Sequence, residues 1–149
     1  MSEENKALGR RDIEEIFNGT NLDAAEEIYA ADFVDHDRAF SWETHGPEEI
    51  KQYVGVFHSA FPDFRVTLED QIAEGKKVVN RWTVRGTHRG EFQGVAPTGK
   101  EVEFTGIPIS TINEEGKLQE SWENYDALGL MQQLGAIPAP GDSEEASST

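Results

Sequence analysis

The sequence predicts an α+β fold: a curved antiparallel sheet wrapped by N-terminal helices into a cone-shaped barrel. Three observations carry this. Apolar residues recur at helical spacing in the first part of the chain, the second half is rich in β-branched and aromatic residues, and turn signals cut that half into segments of similar length. Helices first and a long meander afterwards place helices on one face of a bent sheet. The interior of such a cone is a natural apolar pocket.

Between Ala7 and Phe17 the apolar residues Leu8, Ile13, Ile16 and Phe17 predict a first amphipathic helix, stopped by Asn18-Gly19. Thr20 and Asp23 have capping-box spacing, which predicts a short second helix carrying Leu22, Ala25, Ile28 and Tyr29. Phe33-Val34-Asp35-His36 reads as a brief extended piece, followed by a loop that holds Trp42 and His45. Gly46-Pro47-Glu48-Glu49 opens a third helix, with proline at the first helical position and acids in the first turn. Its apolar stripe is Ile50, Tyr53, Val54, Phe57, Ala60 and Phe61, and Pro62 ends it.

Arg65 to Ile72, Lys77 to His88, Glu101 to Ile112 and Lys117 to Tyr125 are expected as four strands, paired antiparallel from hairpin to hairpin. Asp126 to Leu134 returns to helical spacing. Residues 1–137 are thus expected as a single domain, and the Pro, Gly, Ser, Glu and Ala of 138–149 as a disordered tail. Both faces of the strands carry apolar groups, which predicts a homodimer packed back to back on its sheets.

The 149 residues suffice for one core burying roughly 70% of the unfolded surface. Thirteen Lys and Arg against 29 Asp and Glu give a net charge of −16, which repels nucleic-acid phosphate and anionic membrane surfaces. Nucleic acid and membrane are therefore not expected as partners. With no cysteine, catalysis must rest on carboxylates, histidines or hydroxyls. An acidic N-terminus and the lack of any long apolar stretch predict a cytoplasmic protein, whose acidity reflects either a soluble surface or a high-salt environment.

Gly94 to Lys100 matches the phosphate-loop spacing until Glu101 replaces the hydroxyl residue, and alternating residues rather than a helix follow it. It is a chance match. The four histidines, at 36, 45, 58 and 88, show no metal-ligand spacing, so no metal is expected. What remains is polar residues on strands. Alternation puts Gln119, Ser121, Glu123 and Tyr125 on one side of the last strand and Leu118, Glu120, Trp122 and Asn124 on the other. Likewise Arg81, Thr83 and Arg85 oppose Asn80, Trp82 and Val84, and pattern leaves open which set faces inward.

Phe33-Val34-Asp35-His36, Phe61-Pro62-Asp63-Phe64, Gly86 to Phe92, Pro97-Thr98-Gly99, Gly116 to Glu123 and Gln133-Leu134-Gly135 follow one another in an order and spacing that resembles the SnoaL-like polyketide cyclase family, also called ester cyclases. The resemblance runs from about residue 8 to 137. It implies the cone fold of ketosteroid isomerase and nuclear transport factor 2, an oligomer, and no cofactor. Family members of known chemistry close a ring by an intramolecular aldol step on a polyketide ester, using a carboxylate on the last strand as acid and base. That position here is Glu123, where the family has the shorter aspartate.

The chemistry has its own physical case, since one desolvated carboxylate can take a proton from carbon between a ketone and an ester, and the enolate spreads its charge without a metal. Glu123 is the expected base, against the alternative of a solvated or interface acid. Asp126 either assists it or caps the following helix. His36 and His88 are candidate proton relays or carbonyl hydrogen-bond donors, with loop-organising roles as the plainer alternative. Arg81 is expected to pair with an acid or to enter a wet pocket, and Trp42, Phe57, Phe61, Trp82 and Trp122 to form core or substrate-binding wall. The expected ligand is a small apolar molecule. Cyclase or isomerase chemistry is the first reading; alternatives are a hydrolase or dehydratase resembling limonene-epoxide hydrolase, with Arg81 activating water or a leaving group, and a non-catalytic ligand-binding or dimerisation module.

Overall fold

A computed structural model describes residues 2–138 and 141. The expected tail of 138–149 lies outside the described residues apart from Pro138 and Gly141. Helix α1 (Ser2–Arg11) runs without a break into a π-helical turn, Asp12–Phe17. Where a second helix was expected, only a 3-10 turn at Leu22–Ala24 and a single turn, α2 (Ala25–Ile28), form. The expected cap is not made: Thr20 donates its hydroxyl to the Glu14 carbonyl at 2.8 Å instead, tying the turn back to the first helical segment.

Strand β1 spans Tyr29–Asp37, far longer than the brief piece predicted, and the presumed loop after it contains β2 (Trp42–His45). Helix α3 (Gly46–Ala60) has Pro47 in its first turn as predicted, and buries Ile50, Tyr53, Val54, Phe57 and Ala60 on one stripe. The meander is β3 (Arg65–Glu74), β4 (Lys77–Thr87), β5 (Glu101–Gly106), β6 (Ile109–Ile112) and β7 (Leu118–Glu123), closed by α4 (Ala127–Gln133). One expected strand is therefore two. Pro108, which has no N–H to give a ladder, breaks it, so β5 pairs with the end of β4 and β6 with its start.

The sheet is mixed and curved, in the order β2-β1-β7-β6-β4-β3, with β5 also on β4. Hairpins account for most of it, but β1 and β7 pair in parallel, which the hairpin expectation lacked. The inner face holds the core, with Ile16, Ile28, Phe33, Phe61, Leu118 and Leu130 at 1% exposure or less. Burial fixes the facing of the strands. Phe33, Asp35 and Asp37 point inward from β1, Asn80, Trp82 and Val84 from β4, and Ser121 and Glu123 from β7.

Gly106 ends β5 where the Trp82 ring crosses it. A β-carbon there would lie 2.4 Å from the indole and 2.8 Å from the Tyr125 β-carbon, with neither free to move away. Gly106→Ala is expected to destabilise the fold by about 1–3 kcal/mol in urea unfolding, the usual cost of overpacking. An unchanged midpoint would show that the indole has room to retreat.

Candidate active site

The inner sheet face, the π-helical turn and α3 line a narrow hollow with room for about one water-sized molecule, about 20 Å³. Trp82 and Val84 from β4, Phe104 from β5 and Glu123 from β7 form one wall, and Asp12, Ile13, Phe17, Tyr53 and Phe57 the other. Tyr125, just past β7, closes one end. Tyr53 meets Phe57 edge to face with ring centroids 5.4 Å apart, and Trp82 and Phe104 do the same at 5.9 Å. Such interlocked rings hold the walls still.

The parallel register sets Asp35 beside Ser121 and Asp37 beside Glu123, so three carboxyls meet on the inner face. A fourth, Asp12, faces them from the π-helical turn. Asp37 is met by four donors: the backbone N–H of Ala39 at 3.0 Å and of Phe40 at 3.4 Å, and the hydroxyls of Tyr53 at 2.8 Å and Tyr125 at 2.7 Å. Asp12 accepts a short hydrogen bond from the Tyr29 hydroxyl. Asp35, 1% exposed, differs: neither of its oxygens has a hydrogen-bond partner, although the Glu123 carboxyl and the His36 backbone N–H lie close by.

Two carboxylates cannot face each other in a dry site without a proton between them. Burial first, and then the nearby carboxylates (Asp12 and Asp37 for Asp35; Asp35, Asp12 and Asp37 for Glu123), raise both well above the ordinary carboxylate range. The pair therefore holds one proton that either member can carry. Glu123 retains partial exposure as a residue and lines the hollow. Burial also raises Asp12 to about 7, while the Tyr29 hydrogen bond pulls the other way. Tyr29, Tyr53 and Tyr125 are pushed upward, chiefly by burial, so their hydroxyls stay protonated and donating.

The other expected site residues are scattered. Trp82 and Phe57 line the hollow; Trp42 packs behind it, edge-on to Tyr53 and Phe57, and Phe61 lies in the core against Phe92. His36 points out of the sheet, since it alternates with Asp35 and Asp37. There its Nε2 meets Glu120 at 2.7 Å and its ring stacks on Trp122 at 5.7 Å, so neither His36 nor Trp122 reaches the hollow. Arg81 also faces outward, exposed and opposite Asp70 in the β3–β4 register. His88 is fully buried and binds Thr98, its Nδ1 lying 3.0 Å from the hydroxyl, which makes it an organiser of the loop before β5. Asp126 caps α4, accepting from the Gly129 N–H at 2.8 Å.

The reading of the sequence missed Asp12, Asp35, Asp37 and the tyrosines. A signal was present for each carboxyl. Phe33 marks the inner face of β1, and alternation then puts Asp35 and Asp37 there; Asp12 sits one helical turn from both Leu8 and Ile16 on the apolar stripe.

Comparison with known proteins sets this geometry in a family. A profile described as SnoaL-like polyketide cyclase matches residues 7–134. The chain belongs to this family. Among solved structures it is similar to AclR from Streptomyces galilaeus, assigned provisionally as a hydroxylase, with 28% identity, TM-score 0.80, and coverage of 99% of this chain and 92% of that one. It is also similar to IdmH from Streptomyces antibioticus, assigned provisionally as a polyketide cyclase, with 29% identity, TM-score 0.74, and coverage of 88% and 98%. A protein of Catenulispora acidiphila with the ketosteroid isomerase-like fold, solved with trimethylamine, matches at 20% identity and TM-score 0.71 over 86% of this chain and 92% of that one, which bears on the fold alone. No curated protein sequence matches significantly. The fold of this SnoaL-like chain is accordingly the ketosteroid isomerase-like one. No described helix is long and apolar enough to cross a membrane.

Asp12 makes stability depend on pH. Its folded value is raised above the ordinary 3.8 to about 7, so the folded chain binds the proton more tightly, and the stability this gives is lost as pH rises between those two values. Glu15 and Asp63, both lowered, act oppositely but only in acid below the ordinary carboxylate range. The melting temperature is expected to fall by about 5 °C or more from pH ~5 to pH ~8, and Asp12→Asn, which keeps the acceptor for Tyr29, to make that slope shallower, the remainder belonging to Asp35 and Glu123, which are raised in the same direction. Equal slopes in both proteins would show that Asp12 does not carry the effect.

Proposed function

We propose that this protein is a cofactor-free enzyme that removes a proton from carbon next to a carbonyl in an apolar, polyketide-ester-like substrate and closes a ring by intramolecular aldol addition. The single observation behind this reading is Glu123 on the wall of an aromatic hollow, paired with a carboxyl that shares its proton. Family membership supports the reaction class.

In the reactive form Asp35 holds the shared proton and Glu123 is the carboxylate. Glu123 takes the α-proton; the C–H electron pair becomes the enolate, which attacks a second carbonyl of the same molecule. The alkoxide formed there takes the proton back from Glu123, so the enzyme ends as it began. Asp35 is a positioning residue, buried behind Glu123 and outside the hollow's lining. The longer glutamate arm reaches into the hollow from a strand position set beside Asp37, and seven aromatic side chains on the walls keep water from the enolate. A hydrolase working through Arg81 is disfavoured, because that residue points away from the hollow.

Glu123→Gln is expected to abolish solvent-deuterium exchange at the α-carbon of a bound β-keto ester while leaving its affinity within a few fold, read by mass spectrometry and fluorescence titration. Asp35→Asn cannot give up the proton that Asp35 holds in the reactive form, so it should remove the pair's second, higher-pH ionisation from the exchange profile, a change that simple loss of packing would not produce. Exchange unaffected by Glu123→Gln moves the base elsewhere. Tight binding without exchange in the wild-type protein supports the ligand-binding module instead.

We further propose a cytoplasmic homodimer joined through the outer sheet face. Ile72, Val79, Ile109 and Trp122 form one continuous rung across β3, β4, β6 and β7, and Ile72, Ile109 and Trp122 remain 63%, 42% and 38% exposed. Sedimentation should show a dimer for the wild-type chain and a monomer for Ile109→Arg. A wild-type monomer at about 100 μM would sink this arrangement.

A further inference from the structure

With room for about one water-sized molecule, the hollow is closed to a substrate of the proposed class until part of its wall moves. Immediately outside lies an open cleft with about 560 Å³ of such room, lined by Ser41, Trp42, Glu43, Glu49 and Val56 among others. Tyr53 lines both spaces. Trp42 completes the partition, meeting Tyr53 and Phe57 edge to face with ring centroids 5.6 and 6.2 Å away. Two rings thus stand between the candidate base and a space large enough for a substrate.

The partition hangs on the turn between β1 and β2, residues 38–41. Phe40 of this turn packs on Trp42, Phe92 and Tyr125, at 5.2, 5.6 and 6.3 Å between centroids. Asp37 clasps it: the same carboxylate takes the Ala39 and Phe40 N–H groups from the turn and the Tyr53 and Tyr125 hydroxyls from the lining. Three features make this the part of the wall that moves. Strand β2 ends the sheet and pairs with β1 alone, whereas β4 and β7, which carry Trp82 and Glu123, are paired on both sides. Ser41 sits at φ 59°, a left-handed backbone that is costly for a residue with a β-carbon, so the closed turn is strained. Phe40 and Trp42 are only partly buried and lie behind the lining rather than in it.

We propose that the substrate site continues through the Trp42–Tyr53 partition into the outer cleft, with residues 38–42 as its lid. Phe40 and Trp42 withdraw, and Tyr53, released from Asp37, tilts into the space they leave. The carbonyl end of the substrate then reaches Glu123 while the rest of the molecule stays in the cleft. What happens at Glu123 rests on the deprotonation reading. Closing the turn behind the substrate restores the fixed walls that the reaction needs. The cleft also selects the tail. Ser41, Thr44 and Gln52 offer it hydrogen bonds, and the charged groups of the lining, Glu43 and Glu49, are both negative. Glu43 is met by His36 at 3.4 Å and His45 at 3.2 Å, and Glu49 by the His45 N–H at 2.9 Å, which hold the two carboxylates in place. An uncharged, hydroxylated tail finds acceptors there, whereas a carboxylate tail meets like charge.

The test uses three benzoylacetate esters that share one reacting head: ethyl, 2-(2-hydroxyethoxy)ethyl and 3-carboxypropyl. They are titrated into the full-length protein at pH ~7 in ~0.5 M salt, which screens its overall charge. Calorimetry should show the hydroxylated tail binding at least about tenfold more tightly than the carboxylate tail. Val56 is 42% exposed, so Val56→Trp fills the cleft without touching the core. That change should weaken the hydroxylated ester by about tenfold or more and erase its preference at an unchanged melting temperature. Trp42→Ala removes the plug, and stopped-flow fluorescence should show association faster by about fivefold or more. Equal affinities for the two tails, full binding by Val56→Trp, unchanged association in a folded Trp42→Ala variant, or no binding of any ester would each overturn the proposal. Deuterium exchange into the ethyl ester, which has no tail to seat in the cleft, is scored separately. Exchange with binding that ignores Val56→Trp leaves the deprotonation reading alone standing, and cleft-dependent binding without exchange leaves this site alone standing.

Discussion

The parallel pairing of β1 with β7 is the constraint on which the site depends. These strands come from residues 29–37 and 118–123, near opposite ends of the chain, and only their contact brings Asp35 and Asp37 against Glu123. Left to themselves the carboxyls would repel and stay in water. Apolar burial on either side holds them in: Tyr29 packs on Phe33 with centroids 4.7 Å apart, and Ile28 and Leu118 are fully enclosed. Each fully buried side chain of that size contributes roughly 1.5–3 kcal/mol, enough together to offset several strained acids. The shared proton between Asp35 and Glu123 is the form in which the remaining repulsion is relieved.

This explains which parts of the molecule could be read from the sequence. Helix α3 was legible because Pro47, Glu48 and Glu49 mark its start and its apolar residues repeat at 3.6, all within one segment. The hairpins β3–β4 and β6–β7 were legible from local turn signals at Gly75 and Gly116, whose backbones adopt positive φ of 58° and 77°. The β1–β7 pair was not. Parallel strands carry no connecting turn to announce them, and nothing in Phe33-Val34-Asp35-His36 names a partner more than eighty residues away.

The same limit governed the site. Glu123 was identified as a candidate, but its facing was open because alternation gives two sets without saying which is inside; the neighbouring β1 and β6 strands decide it. A register shift between Thr111 and Ile112 also lets Leu118 be buried although simple alternation from Glu123 would place it outside. His36 drew attention through its chemistry, and its neighbours Asp35 and Asp37 did not. Parity forbids all three from sharing a face, and Phe33 assigns the inside to the aspartates. Arg81 fails by the same rule, as the neighbour of inward-facing Asn80 and Trp82.

The acids on which the chemistry is proposed to run also weigh on the fold. Protonated, Asp12 and the Asp35–Glu123 pair suit a dry hollow and stabilise the chain; ionised, they press it open unless something positive or a donor arrives. Asp37 shows the other solution, with two tyrosines and two backbone N–H groups turned toward it and away from the hollow. Tyr53 and Tyr125 then act as walls with their hydroxyls already committed, and the groups left to meet a ligand are ring surfaces, the aliphatic Ile13, Val66, Val84 and Pro108, and the two lining acids. A substrate is accordingly gripped by shape, ring contact and carboxyl charge. Those forces orient a molecule only if the walls are rigid, which is why the close approach at Gly106 and the edge-to-face aromatic pairs matter as much to the reaction as the acid that performs it.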